Sequence, residues 1–350
     1  MFRWFRKQFD TIQSPELDWI QVEVTTCCNS ACTYCPHTTM GNNFPSKHMP
    51  LDLFQKLIPF IHYTGLIHLQ GWGEPLLNPD IYEMIRISKE KTKCVGLTTN
   101  GTLLNEDTIR RLLDNNVDIV GISLAGATAS SHNSLRPGSD FDMILSNLRL
   151  LSRIKEKQNS RAPAIHLAYI MLKSNIHELE QIVQIAQSVG VAQIVASNLS
   201  LIVEPKLYGE ALFNNTDTTD RYYELLEKTK EYACRNDIVF SYGRADLNRH
   251  SMWCSENVGR ACVVNVDGEV SPCVFTNPIL KTDRWFDNRL LPLKNASFGN
   301  IREETLSEIW HKKEYVKFRN FFNTAAPNIS EKLLSSVPEP CIHCYKRLLG

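Results

Sequence analysis

From Trp19 to about Ser200, short apolar runs alternate with longer amphipathic stretches, and that alternation restricts the chain to few folds. The strand-like runs are Trp19–Val24, Leu66–Gln70, Cys94–Thr98, Ile119–Leu124, Ile165–Met171 and Gln193–Ala196, mostly rich in Val and Ile and bounded by Gly, Asn or Ser. Helical spacing lies between them at Leu53–His62, Ile81–Glu90, Glu106–Leu113, Asp142–Ile154 and Ile176–Val189. The first of these is expected to kink or end at Pro59, since proline cannot donate to the helical ladder. Asp52, Asn105 and Asn175 stand where helix N-caps belong, because a short side-chain oxygen there satisfies a free N–H. Strands joined through helices run parallel, with right-handed crossovers. Six such units predict an α/β fold, a partial (β/α)6 TIM-like barrel, with its chemistry on loops at the C-terminal ends of the strands.

The texture changes after Leu201. Residues 203–217 contain Pro, Gly and Asn and read as a linker, and Thr219–Cys234 reads as a helix. Cys262–Val266 and Glu269–Cys273 flank Asp267-Gly268, a hairpin turn signal, and residues 303–322 are again helical. The expected plan is an extension over 1–18, a barrel over 19–200, a linker and helical connection over 201–250, and a small domain over 251–350. Lys and Arg total 38, as do Asp and Glu, so charge argues against a broad nucleic-acid or membrane footprint. Arg3, Arg6 and Lys7 precede no apolar run of the signal-peptide kind, and no segment reaches the roughly 20 apolar residues of a membrane helix. A cytoplasmic protein is expected.

Eleven cysteines are many for such a protein, and where disulfides are disfavoured clustered cysteines read first as metal ligands. Cys27, Cys28, Cys32 and Cys35 cluster near the start, and Cys254, Cys262, Cys273, Cys341 and Cys344 near the end. Cys94 and Cys234 stand alone and read as small apolar residues. Cys28, Cys32 and Cys35 lie in one loop directly after the first strand, at offsets of four and three. Three thiolates leave one iron of a 4Fe–4S cube without a protein ligand, whereas electron-transfer clusters normally have four. A structural zinc ion takes four ligands, and Cys27 or His37 would be the fourth. Spacing alone leaves both readings open.

The Cys-x3-Cys-x2-Cys loop, with Tyr34 before its last cysteine, resembles the signature of the radical S-adenosylmethionine (SAM) superfamily. The resemblance implies that SAM chelates the open iron and is reductively cleaved to a 5′-deoxyadenosyl radical that abstracts hydrogen from a substrate. Further segments follow the family's order. Gly71-Trp72-Gly73-Glu74-Pro75 resembles its Gly-Gly-Glu-Pro turn with Trp72 in place of one Gly, and such a turn binds the methionine ammonium through its backbone edge. Thr98-Thr-Asn100-Gly101 resembles its Thr-Asn-Gly turn, and Ser174-Asn175 matches after the fifth strand. Ser123 and Arg136 resemble the pair that holds the methionine carboxylate, a task suited to a two-pronged guanidinium. The usual Asp two residues after that Ser is Ala125, which leaves its role unfilled. The implied cofactor contacts are therefore Tyr34, Gly71, Trp72, Gly73, Glu74, Asn100, Ser123, Arg136 and Asn175.

At the other end, Cys254-x13-Gly268-x4-Cys273 followed by Cys341 and Cys344 resembles the SPASM or shorter twitch extension of the same superfamily. Phe298-Gly-Asn-Ile301 and Ser307-Glu-Ile-Trp310 resemble it too. The resemblance implies one auxiliary 4Fe–4S cluster on Cys254, Cys273, Cys341 and Cys344, since the further cysteines of a full SPASM domain do not follow the last pair. Cys262 is left out, Cys27 is expected to pack, and His37 to be a loop residue; a four-cysteine zinc staple is the alternative. The implied activity is that of an oxidoreductase or maturase acting on a peptide, protein or cofactor, with an electron donor such as ferredoxin or flavodoxin. A dehydrogenase or other tailoring enzyme for a small molecule is the alternative, and a non-catalytic iron–sulfur or zinc scaffold the alternative of another class. The segment before Trp19 is expected to be too short for a leader-peptide domain. Glu204 and Tyr208 are the only candidates for substrate contact.

Overall fold

The computed structural model describes residues 16–347 except 93, 214–215, 244–253, 279–281 and 324–336. Strands β1 (Trp19–Val22), β2 (Ile67–Leu69), β3 (Val95–Thr99), β4 (Ile119–Leu124), β5 (Ala164–Met171) and β6 (Gln193–Asn198) follow one another, each parallel to the next. These are the six expected units of a partial barrel. Their periodicity of two separates the faces. Ile20 and Val22 of β1, Ile67 and Leu69 of β2 and Val120, Ile122 and Leu124 of β4 are essentially fully buried in the main core. Gln21, Glu23, His68, Gln70, Thr98, Ser123 and His166 occupy the alternate, inward positions. An ordinary parallel sheet is apolar on both faces; this one is polar on the side that encloses the barrel interior.

Helices close the outer face. The helix Phe141–Lys157 buries Ile144, Leu148 and Leu151 completely, each such side chain contributing about 1.5–3 kcal/mol. Asn105 caps the helix Glu106–Asp114 as expected, its side chain accepting from the Thr108 N–H at 2.9 Å. Two expectations are corrected. The break near Pro59 falls before it, because Leu51–Gln55 and Ile58–Ile61 are separate helices and Pro59 lies in the first turn of the second, where its missing N–H costs nothing. Pro50, not Asp52, is the N-cap of the first, and Asp52 accepts from the adjacent Leu53 N–H.

Beyond the six units and the expected hairpin, the structure adds strands and one pairing that were not foreseen. The helix Thr216–Arg235 leads into β7 (Val239–Tyr242), which pairs parallel with β6, so the expected connection carries a further barrel unit. On the opposite edge β8 (Ala261–Val264) pairs parallel with β1, aligning Cys262 with Ile20. β9 (Glu269–Ser271) returns antiparallel through the expected turn, where Gly268 has φ +89°, a conformation costly to any residue with a Cβ. The strands β10 (Asp283–Phe286) and β11 (Arg289–Pro292) form a separate hairpin turning at Asp287 and Asn288, both with positive φ. Last, β12 (Gly299–Asn300) joins β9 and completes a ten-stranded sheet. The expected domain boundary at 250 lies outside the described residues. Among the described residues no helix is long and apolar enough to cross a membrane.

Candidate functional site

The loop after β1 carries the first cysteines over the C-terminal end of the barrel. The Ala31 N–H donates to the Pro137 carbonyl at 2.7 Å and the Thr33 N–H to the Leu135 carbonyl at 3.0 Å, so the loop is laced to the segment that bears Arg136. Cys35 begins the short helix Pro36–Thr39, and its N–H reaches the Cys32 carbonyl at 3.1 Å. Cys32 is buried, and Cys28 and Cys35 are half-buried. Burial raises the Cys28 thiol above its ordinary range, as do the charges of Glu74 and Cys32. Burial, then the charges of Cys32 and Cys28, push Cys35 up to about 12. The three sulfurs thus share one electrostatic field, and deprotonating them together requires a cationic partner.

The turn after β2 is pressed onto this loop. The Glu74 N–H donates to the Cys27 carbonyl at 2.8 Å. A Cβ on Gly73 would stand 2.4 Å from the Thr25 carbonyl oxygen and 2.6 Å from that of Cys27, so only glycine fits. Arg136 approaches from the third side: it is 8% exposed, its Nη1 donates to the Tyr34 hydroxyl at 2.7 Å, and among the described residues its Nε has no partner. A buried guanidinium N–H without an acceptor is costly and matches a carboxylate that the protein itself does not supply.

The second cysteine group forms where β9 runs out. Cys273, Cys341 and Cys344 are buried and Cys254 half-buried. Burial lifts Cys254 and Cys341 well above their ordinary range; the charges of Cys273 and Cys344 add to both. Cys273 is pushed up to about 12 by burial, with Glu256 and Cys344 adding to it. Cys262 is different. Fully buried beside Ile20 in the core, it is raised by burial alone, and the charge acting on it is that of Arg319.

The radical SAM superfamily model matches residues 22–186, and the model of the SPASM iron–sulfur cluster-binding domain matches residues 254–345. The chain belongs to the radical SAM superfamily. It is 25% identical over 309 residues (87% of this chain, 83% of the relative) to the tungsten-containing aldehyde ferredoxin oxidoreductase cofactor-modifying protein of Pyrococcus furiosus. It is 24% identical to an AdoMet-dependent heme synthase of Methanosarcina barkeri, covering 83% of this chain and 81% of the relative. Its fold resembles that of Streptococcus suis SuiB bound to S-adenosylmethionine, with a TM-score of 0.63, 14% identity, and coverage of 89% of this chain and 69% of SuiB. It also resembles native anSMEcpe with bound AdoMet, with a TM-score of 0.61, 17% identity, and coverage of 93% and 88%.

The two groups of cysteines supply the thiolates that the iron–sulfur clusters of a radical SAM enzyme require. Among the described residues no three His, Cys, Asp or Glu side chains are grouped to hold a single metal ion. The cysteines of each group are near enough to raise one another's pKa.

Several residues expected to touch SAM also make contacts within the protein. Asn100 is 4% exposed; its amide donates to the Asn29 side-chain oxygen at 2.7 Å and its carbonyl accepts from the Thr102 N–H at 3.0 Å. Asn175 has no exposed surface and is spent on main chain, accepting from the Leu172 N–H and donating to the Ala125 and Ile170 carbonyls. Both amides brace loops, and Asn175 makes no side-chain cap. Ser123 is half-buried on the inner face of β4. Trp72 packs edge-on against Phe275, ring centroids 6.1 Å apart, which ties the Gly71–Pro75 turn to the C-terminal domain. Cys27 accepts from the Ser46 hydroxyl, and His37 rests against Phe44. Glu204 pairs with Lys206 at 2.6 Å, and Tyr208 stacks on Tyr345.

Sequence reasoning missed Glu23. It is 2% exposed under Gly71, accepts from the Trp72 N–H at 3.0 Å, and faces the Val266 N–H at 3.4 Å. Burial pushes its carboxyl up to about 7 against the opposing pull of those two N–H groups. An acidic residue at an inward position just past a largely apolar strand was the available signal. The pair His68 and His166 was missed too. His68 bonds Gln70 and Thr98 at 3.0 Å, and burial lowers each imidazole to about 4, so both are neutral at pH 7.

Proposed function

We propose that this radical SAM enzyme oxidises or matures a peptide, protein or cofactor by hydrogen abstraction. The names of the relatives support the substrate class, since one modifies the cofactor of an oxidoreductase and another synthesises heme. Cys28, Cys32 and Cys35 would hold the first cluster, and Cys254, Cys273, Cys341 and Cys344 one auxiliary cluster. With SAM bound, the first cluster supplies the electron that releases a 5′-deoxyadenosyl radical. The chain's own residues do the positioning. The Gly71–Pro75 turn offers backbone to the methionine ammonium, with Glu74 holding the turn rigid, and Arg136 takes the carboxylate with Ser123 beside it. Neutral His68 and His166 line the barrel interior without adding charge. A cavity of about 270 Å³ lies beside Tyr34, between the cysteine loop and the helix Pro205–Tyr208, and lies near enough to admit a substrate group. An external one-electron donor of the ferredoxin or flavodoxin kind would feed the first cluster, and a cytoplasmic setting suits such chemistry.

The observation that carries this reading is the meeting of three separate loops, from β1, β2 and the segment after β4, around Cys28, Cys32, Cys35 and the unpartnered Nε of Arg136. The test is anaerobic reconstitution with iron and sulfide, addition of SAM and dithionite, and chromatography of the products. Wild type should release 5′-deoxyadenosine and methionine, and the Cys28→Ala/Cys32→Ala/Cys35→Ala variant neither. Equal release by both, or colourless protein holding only zinc, would favour the scaffold reading.

A further inference from the structure

The auxiliary cysteines sit among cations that the proposed reaction has not used. Arg347 follows Cys344 in the turn Tyr345–Arg347, its N–H donating to the Cys344 carbonyl at 3.2 Å. Its side chain is 8% exposed, yet among the described residues its Nε and Nη1 have no partner. The charges that act on it are those of Cys344, Cys341 and Cys254. Arg284, 4% exposed, is fixed by main chain: Nη1 donates to the His343 carbonyl at 2.9 Å and Nη2 to the Phe275 carbonyl at 3.3 Å. Its charge reaches Cys341. Lys346 pairs with Glu256 at 2.7 Å, lies 5.2 Å from the Phe275 ring centroid, and is within the field of Cys254 and Cys344. Among the described residues three cations and one carboxylate thus surround four cysteines, leaving a surplus of positive charge there.

A surplus placed there has a direction. A 4Fe–4S cube on four thiolates carries a net charge of 2− when oxidised and 3− after taking one electron. Nearby cations and N–H groups directed at sulfur stabilise the more negative state and raise the reduction potential. A buried arginine with two orphaned donors is costly unless an anion completes it. We propose that Arg347, with Arg284 and Lys346, forms a cationic collar that raises the reduction potential of the auxiliary cluster, so that it takes the electron from a substrate-centred radical. The substrate loses that electron and a proton, the proton passing to solvent, and the cluster is reduced by one electron. The collar rests on the proposed assignment of Cys254, Cys273, Cys341 and Cys344 as ligands.

The test is a potentiometric titration followed by electron paramagnetic resonance, in the Cys28→Ala/Cys32→Ala/Cys35→Ala background, where only the auxiliary cluster remains. Arg347→Gln should keep about four irons and lower the midpoint potential; Arg347→Lys should lower it less. Lys346→Gln should lower it as well and leaves Arg347 in place, so it decides the matter if Arg347→Gln binds no iron. Potentials unchanged or raised in iron-loaded Arg347→Gln, or in Lys346→Gln, would overturn the collar while leaving the ligands intact. A background protein that binds no iron would overturn the ligand assignment, and the collar with it.

Discussion

The carboxylate of Glu74 accepts the Asn100 main-chain N–H at 2.7 Å, and so the turn after β2 is fastened to the turn after β3. Its other oxygen takes the Thr99 hydroxyl at 2.7 Å and the Leu76 N–H at 3.2 Å, all within a buried site. Glu74 therefore shapes the Gly71–Pro75 turn from behind.

Glu74→Gln places an NH2 group against an N–H on one side or the other. The expected cost is about 1.5–3 kcal/mol, that of a hydrogen bond to a charged group, read as a lower denaturation midpoint. SAM affinity should fall with it. A variant of wild-type stability would mean that the turn does not depend on this carboxylate.

Arg136→Ala should weaken SAM binding by about 1.5–3 kcal/mol, measured by anaerobic calorimetry on reconstituted protein. Ser123→Ala should cost less. Tyr34→Phe removes only the acceptor of Arg136 Nη1 and separates the loss of that bond from the loss of the guanidinium. Unchanged affinity in both Arg136→Ala and Ser123→Ala would place the carboxylate elsewhere.

Glu23 sets a pH dependence of stability. Its folded-state pKa, about 7, lies above the ordinary 4.5, so between these values the native state holds the proton more tightly. Stability should be highest below pH 4.5 with respect to this group, fall as pH rises toward 7, and level off above 7 about 3 kcal/mol lower. Glu23→Gln should flatten that part of the profile, measured by denaturant unfolding across pH. An identical slope in wild type and variant would remove Glu23 from the account.

Cys254→Ala, in the background lacking the first three cysteines, should disturb the remaining iron content and visible spectrum. Cys262→Ala should change neither, since its side chain lies in the core opposite Ile20. The reverse pattern would pass the ligand role to Cys262.

Much of the barrel could be read from the sequence because each strand from β1 to β6 is short, rich in aliphatic residues and closed by turn formers. The cysteine spacing was legible because a loop that wraps a cluster is local in sequence. Asn100 and Asn175 are harder to read, because a polar residue at a strand end looks alike in sequence whether it faces a ligand or braces the next loop. The pairing of β1 with β8 was invisible, since Ala261–Val264 carries no mark of its partner; a four-residue strand buried throughout fits any sheet edge. β7 was hidden because it is only four residues long, with Phe240 alone buried, in a stretch otherwise dominated by its helix. Glu23 escaped because its partners are main-chain groups from two distant loops.

The junction of β8 with β1 also governs how the protein can be made. Ile20 leaves the ribosome early, and Cys262, its neighbour in the sheet, about 240 residues later. At roughly 5–20 residues per second, the nascent chain carries β1 for on the order of 10–50 s with one row of N–H and C=O groups unpaired. Such an open edge is a template for pairing with other chains. A chain cut after residue 250 would hold that edge open permanently, so the barrel alone is expected to accumulate as aggregate rather than as an isolated catalytic half.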